Sequence, residues 1–415
     1  MKRSIWFLFF TIFLDLLGVG ILIPIVPLLF ADPSSAYFLL SPGTNIDYGY
    51  ILLGFLVASY PLSLFLTAPI LGQLSDRFGR KKILIISITG TALSYLLFAY
   101  GVKEGSIPII FISRVLDGLT GGNISVAQAA IADLTPNKDR AKNFGLIGAA
   151  FGLGFILGPF LGGVMSKPDI ISWFSITTPF IFSSILSVIN VLSLIFFFKE
   201  THQPDPTKNK IDFLVSFKKI ISAKNYKDER IIFLSTFLMS CGFTFFTTFF
   251  GVYLITKYNF DQTQIGSFFG YVGLWIVITQ GLITRFLAKY VSEVKVLRVV
   301  YFTSALAIFL YFFPEQAKAL LYIVPAFAIS NGLANANSMG LLSRKTRPDM
   351  QGEVLGINSS VMALGQTIPP VLSGFIAAIL SPGAPLIISG IVIGVAGLAF
   401  VFLYEEGEED GLDNI

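Results

Sequence analysis

Three ionisable residues stand where an apolar chain can least carry them: Asp15 inside the first long apolar run, and Arg114 with Asp117 inside the fourth. A charge within a bilayer is expensive, so each is a functional candidate by default. Arg114 and Asp117 are three apart and share one face of a helix, where they can form an ion pair that opens and closes as a proton arrives. The alternative is that both sit near the wet end of their helix and reach water. Little else suggests chemistry. The one histidine, His202, lies in a polar stretch and reads as a solvated surface residue. The one cysteine, Cys241, allows no intramolecular disulfide. No Gly-x-x-x-x-Gly-Lys-Ser/Thr phosphate loop occurs, which argues against ATP as the energy source. With no metal site or nucleophile–base pair, the reading is not an enzyme, and no cofactor is expected.

The elements that must hold these residues follow from composition. Of 415 residues, 54% are apolar and 13% are charged, against about 25% charged in a soluble domain. A lipid-crossing helix needs about 20 apolar residues, which leaves room for about a dozen. The spans are expected at 5–30, 49–71, 83–102, 107–132, 143–165, 172–198, 231–256, 264–287, 296–313, 318–342, 353–380 and 384–404. The first is too long for a signal-peptide core and contains Asp15 and two prolines. An even count puts both termini on one face. Of the 29 Lys and Arg, only Lys103, Lys167, Lys257 and Lys318 fall on the other face, and Arg114 lies within a span. Positive charge marks the cytoplasmic side, so both termini are expected there. The net charge of +4 serves topology and does not point to nucleic acid.

Between the second and third spans, Gly72 to Lys82 carries Asp76, Arg77, Arg80, Lys81 and Lys82 with two glycines. It reads as a water-exposed turn at the membrane face, because glycine accepts positive φ without steric cost. The polar connection at 199–230 divides the chain into bundles at 1–198 and 231–404, followed by an acidic tail at 405–415. The halves also match each other. Gly145, Gly154, Pro159 and Gly163 recur 211 residues later as Gly356, Gly365, Pro370 and Gly374.

Gly72, Asp76, Gly79 and Arg80 stand at the spacing of the second–third loop of the major facilitator superfamily of secondary transporters, with a weaker echo at Gly281, Arg285, Ala288 and Lys289. This resemblance implies an all-α polytopic membrane protein. Its twelve transmembrane helices form two pseudo-symmetric six-helix bundles, with the substrate site near the midplane at their interface. Asp15-Leu-Leu-Gly-Val-Gly with Pro24 and Pro27 is similar to the first-span motif of the drug:proton antiporters. Arg114 through Gly122 followed by Asp133 resembles their fourth-span motif, and Gly154, Gly158, Pro159, Gly162 and Gly163 their fifth-span antiporter motif. From end to end the chain resembles the tetracycline and multidrug efflux branch. It departs from the nearest tetracycline exporters at Ser94, Ser304 and Ile276, where they carry acids and a histidine.

By that resemblance Asp15, Arg114 and Asp117 couple proton movement. Asp76 accepts hydrogen bonds from the start of the eleventh helix, where the dipole is positive, and Arg80 bridges to Asp133, together latching the halves. The first, fourth, seventh and tenth spans line the cavity, so Asn123, Phe243, Phe246, Phe250, Asn331 and Asn335 are candidate cavity residues. The phenylalanines, among 42 spread through the chain, read first as lipid-facing bulk; the asparagines are costly to leave against lipid. Such a lining suits lipophilic molecules. The expectation is a monomeric proton-driven exporter of lipophilic compounds in a bacterial inner membrane, its partners substrate, protons and bilayer. The alternative is a symporter of a small nutrient on the same fold.

Overall fold

The computed structural model describes residues 2–135, 140–202, 212–226, 229–347 and 350–405. Nearly all of the expected acidic tail and the 203–211 part of the central connection lie outside them. Among the described residues every regular element is helical. The first half holds α1 (Lys2–Phe30), α2 (Ile46–Phe78), α3 (Arg80–Lys103), α4 (Ile107–Thr120), α5 (Asn123–Leu134), α6 (Arg140–Met165) and α7 (Thr178–Phe197). A short α8 (Val215–Ser222) precedes α9 (Arg230–Tyr258), α10 (Gln262–Ile278) and α11 (Thr284–Leu287). Then come α12 (Glu293–Leu310), α13 (Leu320–Lys345), α14 (Gln351–Ile379) and α15 (Ala384–Leu403). The long runs are helical because a backbone in hydrocarbon must satisfy its own hydrogen bonds. Among the described residues, ten stretches are long and apolar enough to cross a bilayer. Of the twelve expected spans, α12 is not among them, because it opens on Glu293, Lys295 and Arg298; α6 runs 26 residues, from Arg140 to Met165, over the fifth expected span.

Two local expectations need correction. The turn after the second span is not spread over Gly72–Gly79: α2 continues to Phe78, with Gly72 in its interior, and Gly79 alone turns the chain at φ 95°. Leu71 and Leu74 pack against the apolar core formed by α1, α3, α5 and α6, which keeps this last stretch helical. The fourth span is not one helix either. It breaks at Gly121–Gly122 between α4 and α5. Side chains at these two positions would press on the Tyr60 ring and hydroxyl and on Ala68 and Leu71, so both must be small.

The chain forms two compact units, Met1–Ser216 with Phe260–Gly270, and Phe217–Asn259 with Tyr271–Ile415. The first turns of α10 thus belong with the first unit rather than with the helices that follow. Glycine is the reason. A Cβ on Gly163 would lie 2.5 Å from the Gln262 carbonyl oxygen, and one on Gly266 would lie 2.3 Å from that of Pro159. Lys167 Nζ completes the join 2.7 Å from Asp261 Oδ2. The other side of α6 lies on α1: Gly154, Gly158 and Gly162 meet the backbone of Leu16, Leu17, Gly20 and Ile21. In the second unit Gly365 of α14 meets Ser240 and the Phe237 carbonyl of α9, so residues 211 apart make corresponding helix pairs.

Helices in lipid associate through such close packing of small residues. In Gly158→Leu the added side chain meets the Leu17 carbonyl and the Gly20 backbone, neither of which can move aside. It should cost about 1–3 kcal/mol, read as a lowered thermal midpoint of the purified protein. The Lys167–Asp261 pair has its own pH signature. Partial burial opposes the Asp261 charge, but the Lys167 ammonium and the Gln264 and Thr263 N–H groups outweigh it and hold the carboxyl below the usual range. A depressed folded-state pKa gives stability that is present above the unfolded pKa and lost as pH falls through the folded one. Comparing thermal midpoints of wild type and Asp261→Asn should show a gap of under about 1 kcal/mol at neutral and mildly acidic pH. The gap should close only below the ordinary carboxylate range; closure near pH 6, on the scale of a free histidine, would contradict this assignment.

Candidate functional site

Asp15, Arg114, Asp117 and Asn123 are brought together inside the first unit, each 4% exposed or less. Asp15 Oδ1 accepts from Asn123 Nδ2 at 3.0 Å, and Oδ2 accepts from the Tyr60 hydroxyl at 3.3 Å. Asp117 Oδ1 accepts from the Ser94 hydroxyl at 3.0 Å, while Oδ2 accepts from Arg114 Nη1 at 3.0 Å. Each of the four carboxylate oxygens therefore has a donor. The guanidinium lies 5.0 Å from the Phe98 ring centre and 5.8 Å from that of Tyr95, so cation–π attraction offsets part of its lost hydration. Neither member of the pair reaches water, which removes the wet-end alternative.

Helix geometry explains the convergence. Residues i and i+3 on α4 put Arg114 and Asp117 on one face, and α3 presents Ser94, Tyr95 and Phe98 to it. Gly18 of α1 leaves the space that the Tyr95 hydroxyl fills, since a Cβ there would sit 1.5 Å from that oxygen. Gly121 does the same for Tyr60. The break after Thr120 lets Asn123 open a new helix facing Asp15. Sequence reasoning missed Tyr60 and Tyr95 and noted Ser94 only as a departure.

The loop residues form a second cluster in the same unit. Arg80 Nε donates to Asp133 Oδ2 at 3.1 Å, and Nη1 contacts Asp76 Oδ1 at 2.6 Å and Ser75 Oγ at 2.5 Å. Glu200, which sequence reasoning did not single out, caps α3. Its carboxylate accepts from the N–H groups of Arg80 at 2.9 Å and Lys81 at 3.1 Å, where the helix dipole is positive. A Cβ on Gly79 would lie 2.5 Å from Glu200 Oε2, so this glycine is needed for both its φ and its lack of a side chain. In return Lys81 Nζ donates to the Ile195 carbonyl near the end of α7 at 2.8 Å. His202 is half-buried rather than fully solvated: its ring Nε2 is enclosed, and its backbone N–H donates to Glu200 Oε1 at 3.2 Å.

The second unit places the remaining candidates differently. Phe246 and Phe250 are fully buried and stacked 4.4 Å apart, with Phe327 4.4 Å from Phe246 and Tyr311 4.9 Å from Phe250. They pack inside the unit and do not face lipid. Phe243 is half-buried and stacks on Phe327 at 6.3 Å. Asn335 is exposed; Asn331 is half-buried, and its Nδ2 finds no acceptor among the described residues. Asn337 is buried and donates to the Leu333 carbonyl at 2.8 Å.

Comparison with known proteins decides the family. The model of the Major Facilitator Superfamily matches residues 8–368. The chain belongs to this superfamily. As one of its members it is an integral membrane carrier, not an enzyme. It is 28% identical over 407 residues to Multidrug resistance protein 2 of Bacillus subtilis (strain 168), covering 96% of this chain and 94% of that one. To the class E tetracycline resistance protein of Escherichia coli it is 27% identical, over 91% of this chain and 88% of the relative. The solved D-xylose-proton symporter superposes with a TM-score of 0.78 at 15% identity, covering 98% and 99% of the two chains. The human organic anion transporter MFSD10 (TETRAN) gives 0.69 at 21% identity, over 96% and 99%. These two likenesses carry the fold alone.

The buried pair makes a stability prediction for this superfamily member. Arg114→Leu leaves the Asp117 carboxylate buried without its cation and should cost about 3–5 kcal/mol. The double variant Arg114→Leu/Asp117→Leu should recover much of that loss, because it removes both charges. Thermal or denaturant unfolding of the purified variants checks both values.

Proposed function

We propose that this carrier is a proton-coupled antiporter that exports lipophilic small molecules by alternating access. The observation that carries the reading is the enclosed network of Asp15, Asp117 and Arg114, with every carboxylate oxygen hydrogen-bonded. Two carboxyl groups deep within a membrane protein do little for stability that an apolar pair would not do better. They fit a site that takes up and releases a proton. Relatives named for multidrug and tetracycline resistance support the substrate class. In this reading the bilayer is a bacterial inner membrane with both termini cytoplasmic, the working unit is a monomer, and no cofactor takes part.

The cycle runs on the proton gradient, which supplies about 2.3 kcal/mol per 100 mV for each charge moved. A proton from outside binds Asp117 or Asp15. On Asp117 it neutralises the partner of Arg114 and weakens the ion pair; on Asp15 it turns one oxygen from acceptor to donor and disrupts its bond with Asn123 or Tyr60. The rearranged unit then opens inward, releases the proton and accepts new substrate. The Asp76–Arg80–Asp133 cluster holds the outward state until the rearrangement frees it. Asn331 and Asn335 offer neutral polar groups to substrate, as Asn123 does once Asp15 is protonated.

Inverted membrane vesicles carrying a proton gradient test this. Addition of a transported lipophilic compound should dissipate the gradient, read as recovery of a quenched pH dye. Asp117→Asn and Asp15→Asn keep hydrogen-bonding groups at these positions, so the protein should stay folded and monodisperse while coupled transport is lost. Transport indifferent to acidification on either face would refute the proposal, and coupled movement of substrate in the same direction as the proton would favour the symporter.

A further inference from the structure

α8 is a short helix with two unlike sides. On one, Ser216 is buried and its hydroxyl donates to the Phe65 carbonyl of α2 at 2.6 Å. That carbonyl is available because the residue four positions ahead is Pro69, which has no N–H to offer it. Just upstream, the Asp212 N–H donates to Gln73 Oε1 at 2.9 Å, and the Asp212 carbonyl accepts from Gln73 Nε2 at 3.3 Å. Residues 73 and 65 of α2 are separated by about 12 Å at 1.5 Å per residue. Between Asp212 and Ser216 the chain therefore descends along α2, from its polar end to a carbonyl well inside the apolar run expected at 49–71.

The other side of α8 faces outward at that depth. Leu214, Phe217 and Ile221, spaced as one helical stripe, are 59%, 47% and 61% exposed, with Phe213 beside them at 69%. Lys218 and Lys224, both exposed, flank the stripe. Water is a poor occupant for such a face at such a level. Apolar residues bordered by lysines match the boundary between acyl chains and negatively charged headgroups.

We propose that α8 is a membrane-surface anchor: Leu214, Phe217 and Ile221 enter the acyl boundary of an anionic leaflet, and Lys218 and Lys224 bind its headgroup phosphates. The docking of Ser216 on the proline-freed carbonyl sets the depth and turns the apolar stripe toward lipid. The connection between the two halves of the chain is thereby held at the bilayer surface. This assignment depends on the chain being a membrane protein, not on which solute it carries or in which direction.

The test uses the full-length chain reconstituted in vesicles of phosphatidylcholine and phosphatidylglycerol. Cys241 is the single cysteine and is buried, so Cys241→Ser provides a background for a nitroxide at Phe217→Cys or, separately, Ile221→Cys. Both labels should collide more often with oxygen than with a water-soluble nickel chelate, as a lipid-facing control on a span does. Greater collision with the chelate would place the stripe in water, and protection from both agents would place it against protein; either result overturns the proposal. For the headgroups, Lys218→Gln and Lys224→Gln should each reduce phosphatidylglycerol co-purifying with the protein about fivefold, the equivalent of about 1 kcal/mol per surface lysine. Unchanged lipid in both variants would refute the headgroup contacts.

Discussion

The constraint on which the first unit depends is the cost of keeping three charges out of water. Each buried ion carries a desolvation penalty of several kcal/mol, repaid only when geometry and hydrogen bonding are close to complete. Asp15 and Asp117 meet that condition with donors from four different helices: Asn123 of α5, Tyr60 of α2, Ser94 of α3 and Arg114 of α4. The guanidinium meets it in part, with one carboxylate and two aromatic rings. The arrangement of α1 to α5 is thus the arrangement that these charges require.

Small residues make that arrangement possible. Lipid supplies no hydrophobic drive between helices, so contact depends on how closely backbones can approach. On α1, Gly18 yields to Tyr95 of the polar network, and Gly20 meets Pro159 and Gly158 of α6. One helix therefore carries Asp15, the room for its aromatic surroundings, and the surface on which the antiporter-motif glycines lie. Motifs that read as separate features in sequence are parts of one packed object. Displacing α6 from α1 would disturb the helix that carries Asp15.

What could be read in advance follows from the range of each signal. A charge in an apolar run is visible within a few residues, and so is the spacing that puts Arg114 and Asp117 on one face. The glycine matches at 211 residues pointed to corresponding helices because small residues leave a mark where backbones meet. Uncharged partners leave none: Tyr60, Ser94 and Tyr95 differ in no local way from polar residues elsewhere in the spans. Glu200 was hidden for another reason, since it lies 120 residues from the N–H groups it caps. Gly72 and Gly79 looked alike as turn formers, yet only Gly79 turns, because the leucines before it still pack on the core. Phe246 and Phe250 showed their common face but not its surroundings, which come from Phe327 and Tyr311 far along the chain.

The charge inventory of the network constrains how it can work within the proposed cycle. Arginine stays cationic at any physiological pH, so two ionised carboxylates and one guanidinium leave one negative charge. A single proton on either acid brings the set to neutrality, the least costly total for an enclosed space. A second would leave the guanidinium as an uncompensated buried cation. The network is therefore suited to carrying one proton at a time. That proton can occupy either acid, and the two placements differ in which partners they release: Arg114 and Ser94 from Asp117, or Asn123 and Tyr60 from Asp15. Tyr60 binds Asp15 through its hydroxyl, and its ring lies against the turn at Gly121. A proton on Asp15 would change the contacts of α2 through Tyr60, beside the turn where α4 gives way to α5.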